Sequence, residues 1–222
     1  MGRIWLVLAI LAGVAYGVLG PVSVPLKMAG GGLLAVYAVV RARPAMRPIA
    51  LVLALGALGD GLIEVNLIAG AVAFLAGHLV AIGFYWRERR DGLPGRLIAA
   101  PIAGLVVLSD AAFAVSGRIE TGIYALGLGA MAGMAWNSRF PRALVGLGAL
   151  LFAASDLLLF ARMGIMAHSA VPGHLIWPLY FVGQTLIALG VVESRDQGSR
   201  TAPAPSRASG PWASAADKGR GA

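Results

Sequence analysis

Six side chains of this 222-residue chain carry ionisable groups inside or beside hydrocarbon-like sequence: Asp60, Glu64, His78, Asp110, Asp156 and, at the opening of an apolar run, Lys27. Near the middle of a membrane helix such a group costs about 2.5 to 3.5 kcal/mol on insertion scales, so each demands a compensating role. The chemistry they support is the handling of protons, either as acid-base catalysis or as the relay of a proton-coupled transporter. Three carboxyls have similar settings, Leu58-Gly59-Asp60, Leu108-Ser109-Asp110 and Ala154-Ser155-Asp156, at intervals of 50 and 46 residues. That spacing suggests a repeated helical hairpin. Tyr180 and Gln184 lie four apart and so share a helix face, and an amide in hydrocarbon seeks a partner.

The remaining chemistry is narrow. There is no Cys, and His168 and His174 fall in an expected outer loop far from His78, so no metal site is expected. No phosphate-binding loop, dinucleotide fingerprint or Ser-His-Asp order stands in the right context. The run Gly127-x-Gly129-x-x-x-Gly133 reads as a helix-packing face.

The elements that position these residues follow from composition. The chain is 59% hydrophobic and 13% charged, far more apolar than a soluble domain. Its apolar stretches lack strict alternation, which excludes a membrane barrel and predicts an all-α, polytopic helix bundle. Eight spans are expected, over residues 4–20, 22–40, 48–65, 67–86, 97–116, 121–136, 143–163 and 175–192. Pro25, Lys27 and Gly30 to Gly32 weaken the start of the second. Arg3 before an apolar run also resembles a signal peptide, but no clear small-x-small cleavage site follows, so the first segment is read as a span. Residues 1–192 form the transmembrane domain, and 193–222, rich in Ser, Ala, Gly, Pro and Arg, read as a disordered tail.

The formal charge of +8 comes mainly from arginines in alternate loops. Arg41, Arg43 and Arg47, then Arg87, Arg89, Arg90 and Arg96, then Arg139 and Arg142 follow the even-numbered spans. The positive-inside rule places these loops and both termini in the cytoplasm, as for a bacterial inner-membrane protein. The arginines are topology signals, and no nucleic-acid partner is expected.

The stretch Gly148-Ala149-Leu150-Leu151-Phe152-Ala153-Ala154-Ser155-Asp156 resembles the hallmark of the YhhN-like lysoplasmalogenase family. Other pieces fall in the same order: Lys27, Gly59-Asp60, Phe74-x-x-Gly77-His78 and Tyr180-x-x-x-Gln184. Ala81 stands where an aromatic is often found in that pattern, and Asp110 has no counterpart in it.

The resemblance implies a membrane enzyme that hydrolyses the vinyl ether of lysoplasmalogens to a fatty aldehyde and glycerophosphoethanolamine or glycerophosphocholine. Protonation of the β-carbon gives an oxocarbenium ion, to which water adds. Such a step needs an acid, a base and a negative field, and a pair of buried carboxyls supplies all of them. Asp60 and Asp156 are expected as that pair, with His78 tuning or relaying the proton. Ser155, Tyr180 and Gln184 are expected on the substrate side, and Lys27 on the lipid phosphate. No metal or organic cofactor is required, and the partners are a lysophospholipid substrate and membrane lipid. A membrane transporter using the same carboxyls is the alternative, and it predicts broken helices in two inverted halves.

Overall fold

The computed structural model describes residues 2–20, 23–90 and 94–194. The expected disordered tail lies outside the described residues from position 195 onward. Eight α-helices account for nearly all of the described chain: α1 (Arg3–Leu19), α2 (Val24–Arg41), α3 (Pro48–Val65), α4 (Leu67–Arg87), α5 (Pro94–Ser116), α6 (Ile119–Asn137), α7 (Leu147–Met163) and α8 (Val171–Glu193). Among the described residues there is no strand, only an isolated bridge between Arg89 and Ser138.

Six segments are long and apolar enough to cross a bilayer: Val24–Arg41, Pro44–Val65, Leu67–Arg87, Ile98–Ser116, Arg142–Met163 and Val171–Glu193. Helix α1, at 17 residues, is shorter, and the glycine-rich α6 is not among the six. The bundle shows apolar side chains outward, with Val18, Val65, Ile68 and Ile165 all largely exposed. A surface so widely apolar suits lipid rather than water.

Pro25 does not delay α2, because it occupies the first turn, where its missing N–H leaves no helical bond unmade. The same device starts α8 earlier than its apolar run suggests. Pro172 sits in the first turn, so His174, expected in a loop, is helical. At the other loop boundary a π-helical turn, Arg142–Gly146, leads into α7.

Consecutive helices pack as hairpins except α4 and α5, which both pack on α6 instead, and α8 also touches α1, α2 and α3, which makes it the central post. Helix α5 packs on α6 and α7 and leaves most of its surface outside. The glycines of α6 serve packing as expected: a Cβ on Gly129 would collide with the Gly104 carbonyl of α5.

The two ends of the bundle differ. At the arginine-rich end, Arg90 donates from Nε to the Ser138 carbonyl (2.7 Å) and from Nη2 to the Phe140 carbonyl (2.9 Å). Arg139 pairs with Glu88 at the same place. These arginines therefore tie the α4–α5 connection to the α6–α7 connection. The opposite end, which carries Lys27, Glu64 and Arg118, holds fewer cations.

Candidate active site

Asp60 lies two-thirds along α3 and is 2% exposed, and Asp156 lies in the middle of α7 and is 9% exposed. Each carboxyl takes a hydrogen bond from a phenol. Tyr180 of α8 donates its hydroxyl to Asp60 Oδ2 (2.9 Å), and Tyr124 of α6 donates to Asp156 Oδ2 (3.1 Å).

Behind each phenol stands a second polar group. Gln184 Nε2 lies 3.4 Å from the Tyr180 hydroxyl, one helical turn along α8 as the four-residue spacing predicted. His78 Nε2 lies 3.0 Å from the Tyr124 hydroxyl. With that hydroxyl donating to Asp156, the imidazole must donate to it, which assigns the proton to Nε2. Gly56 leaves the room this requires, since a Cβ there would come within 2.8 Å of Gln184 Nε2.

The two arms meet across Phe152. Its ring centroid is 5.2 Å from that of Tyr180 and 5.3 Å from that of His78, both edge-to-face. Phe74 closes the same cluster against Phe152 and Tyr180. Among the described residues no direct hydrogen bond joins Asp60 and Asp156. A small cavity of about 20 Å³, room for about one water, is lined by His78 and Gln184 of the two arms with Phe152, Gly56, Tyr85 and Ala81 among others, the carboxyls themselves not being part of its wall. Ala81, where the family pattern often has an aromatic, leaves part of that space.

Ser155 is buried and donates to the Ile176 carbonyl of α8 (2.9 Å), which stitches α7 to α8. Lys27 pairs with Glu64 (Nζ to Oε1, 2.6 Å), one helical turn beyond Asp60 on α3. Asp110 stays apart: it is exposed on the outer face of α5, with no bonded partner among the described residues.

Sequence reasoning missed Tyr124. The available signal was its depth, because it lies more than a turn inside α6, away from the interface where a belt tyrosine belongs. Among the described residues no group of three or more His, Asp or Glu is arranged to hold a metal.

Helices of this length and apolarity, enclosing a network of carboxyls, phenols, an imidazole and an amide, fit an integral, multi-pass membrane protein. The chain belongs to the YhhN family, whose model matches residues 22–191. No curated protein and no solved structure matches it.

Proposed function

We propose that this chain is a membrane hydrolase that opens the vinyl ether of lysoplasmalogens, releasing a fatty aldehyde and a glycerophospho-alcohol. The observation that carries the reading is the pair of buried carboxyls, Asp60 and Asp156, each held by a tyrosine hydroxyl on one oxygen and flanking one aromatic cluster.

In this reading one carboxyl delivers a proton to the β-carbon of the vinyl ether. The electron pair of the alkene forms the new C–H bond, and the oxygen lone pair stabilises the resulting oxocarbenium ion. The second carboxylate faces that cation and takes a proton from the water that adds to the α-carbon. The hemiacetal then collapses: its hydroxyl proton passes to the first carboxylate as the C=O forms, the C–O bond to glycerol breaks, and the proton held by the second carboxyl goes to the glycerol oxygen. No redox partner or metal is needed for the balance.

Tyr124 and Tyr180 fix the carboxyls, and His78 and Gln184 fix the tyrosines, so the acid and base are preorganised rather than mobile. The lipid enters from the bilayer with its headgroup at the Lys27 end. The arginine-rich end and both termini face the cytoplasm of a bacterial cell, by the positive-inside rule.

The test uses detergent-purified protein in heavy water with lysoplasmenyl ethanolamine and its ester analogue, followed by mass spectrometry. Promptly trapped aldehyde should carry one deuterium at C2, and the ester, which has no alkene to protonate, should be left intact. Fatty acid released from the ester, or aldehyde without deuterium at C2, would sink the reading.

A further inference from the structure

At the arginine-rich end of the bundle two arginines are held in the same way by two tryptophans. Arg89 lies over the Trp86 ring, its Cζ 4.9 Å from the ring centre, and donates from Nη1 to the Trp86 carbonyl (2.9 Å). Arg142 lies over the Trp136 ring at 5.7 Å and donates from Nε to the Trp136 carbonyl (3.2 Å). A guanidinium stacked on an indole and tied to that residue's own carbonyl has lost much of its freedom before any ligand arrives. Among the described residues the remaining N–H groups of both forks have no partner.

The two devices stand on one platform. The Arg90 N–H donates to the Asn137 carbonyl (3.1 Å) and the Arg139 N–H to the Glu88 carbonyl (2.7 Å), which lays residues 88–90 antiparallel against 137–139. The platform is rich in positive charge. Glu88 is the one acid among the described residues of the α4–α5 and α6–α7 connections, and Arg139 already pairs with it. Burial and, after it, the nearby Arg142 push Arg90 below the usual guanidinium range, so cations here stand close enough to repel. Depth is marked by the indoles. Trp86 and Trp136 lie in the last turns of α4 and α6 and are 48% and 38% exposed, the setting of tryptophans at the level of lipid headgroups.

We propose that this platform binds the phosphodiester of a net-anionic phospholipid, with Arg89 and Arg142 gripping its oxygens and the acyl chains running past the two indoles into the bilayer. A planar guanidinium matches phosphate oxygens in a paired, directional way that a point charge does not. A zwitterionic lipid offers the same phosphate, but its ammonium would enter a cluster of cations whose acid is already taken, and it is disfavoured for that reason. The site lies at the opposite end from Lys27 and Glu64 and does not depend on the hydrolase reading. It also has a structural effect. The platform joins the end of α4, which carries His78, to the end of α6, which carries Tyr124, so an occupant that binds only the folded chain should raise the melting temperature.

The experiment measures lipid binding to the full-length protein in a neutral detergent by native mass spectrometry, with melting followed in parallel. The probes are phosphatidylglycerol and phosphatidylcholine with the same acyl chains. Wild type should bind phosphatidylglycerol about tenfold more tightly, the worth of one hydrogen bond between charged groups, and should melt higher in its presence. Arg89→Gln with Arg142→Gln should bring the two lipids to within about twofold. Arg89→Lys with Arg142→Lys, which keeps the charge but not the fork, should also lose most of the preference. Arg3→Gln with Arg47→Gln removes the same charge from the same end away from the platform, and should keep the wild-type ratio.

Equal wild-type affinities for the two lipids overturn the site without recourse to any variant. If the Arg3 and Arg47 pair loses as much preference as the Arg89 and Arg142 pair, or if the lysine pair keeps all of it, the attraction is that of a diffuse basic surface and the built site is refuted. Competition by inorganic phosphate or glycerophosphoglycerol as strong as that by the lipid would replace the lipid with a small anion and refute it as well.

Discussion

Asp110 and Asp156 follow the same Ser-Asp step in similar apolar helices, yet one faces outward and the other is buried at the centre of the bundle. The two serines behave alike. Ser109 donates to the Gly122 carbonyl of α6 (2.9 Å), and Ser155 donates to the Ile176 carbonyl of α8 (2.9 Å), so each stitches its helix to the next one in the chain. In the third such hairpin Gly59 fills the equivalent role, pressed against the Phe74 ring of α4.

The residue before each Asp thus fixes the helix rotation, and the Asp is turned about 100° away from the hairpin partner. What differs is the neighbour on that side. Helix α6 presents Tyr124 to Asp156, and α8 presents Tyr180 to Asp60, while Asp110 meets only the open groove beside Phe113 and Ile123. A local sequence signal sets orientation, and the packing of more distant helices decides whether that orientation becomes a site.

The largest effect should separate the inner carboxyls from the outer one. Asp60→Asn and Asp156→Asn should each lower aldehyde release by roughly a hundredfold to ten-thousandfold, the range of a lost acid or base, with unchanged elution in detergent. Asp110→Asn should stay within about twofold of wild type, since no acid-base role is removed. Loss of turnover in Asp110→Asn would break the comparison outright.

Next come the phenols that distinguish the two settings. Tyr124→Phe and Tyr180→Phe keep the rings packed on Phe160 and Phe152 but remove the bond to the carboxyl. Turnover should fall roughly ten- to a hundredfold, the worth of a hydrogen bond to a charged group. Rates within twofold of wild type would show that the carboxyls work without these partners.

The stability comparison should run the other way. Asp110→Leu removes an unpartnered carboxyl from an apolar face, so the melting temperature should rise by about 2 to 4 °C for roughly 1 kcal/mol recovered. Asp156→Leu strands the Tyr124 hydroxyl and should lower it. A lower melting point for Asp110→Leu would mean that the carboxyl has a partner in the bilayer.

The smallest effect belongs to the serines. Ser109→Ala and Ser155→Ala should each cost about 0.6 kcal/mol, the average of an interhelical membrane hydrogen bond. Equal losses would sharpen the view of both as stitches. A selective rise in KM for Ser155→Ala would instead place its hydroxyl on the substrate.

The helices were legible because hydrophobic length is a strong signal, and the boundaries of α3 and the end of α7 match the apolar runs. The starts of α2 and α8 were harder, since a first-turn proline reads as a breaker to a hydropathy scan although it costs the helix nothing. Of the candidate site, Asp60, Tyr180 and Gln184 fall in one hydrogen-bonded arm and His78 and Asp156 in the other, because an ionisable or amide group in hydrocarbon announces itself by cost. Tyr124 did not, since a phenol is cheap enough to pass as an interfacial aromatic. Asp110 looked equivalent to the other two because its difference lies in the absence of a neighbour, which no local sequence encodes. Lys27 and Glu64 were visible as charges, but their pairing joins residues 37 apart on different helices.

The separation along the chain between each carboxyl and its phenol has a consequence for synthesis. Asp156 emerges 32 residues after Tyr124, so its partner is already in place when it reaches the membrane. Asp60 must wait for Tyr180, 120 residues later. At about 5 to 20 residues per second that wait is on the order of 6 to 24 s, spent with the carboxyl unescorted while four further helices are inserted. A nascent chain arrested after α3 and before α8 therefore displays an unpaired acid at membrane depth, a mark by which unfinished molecules differ chemically from finished ones until the last helix docks.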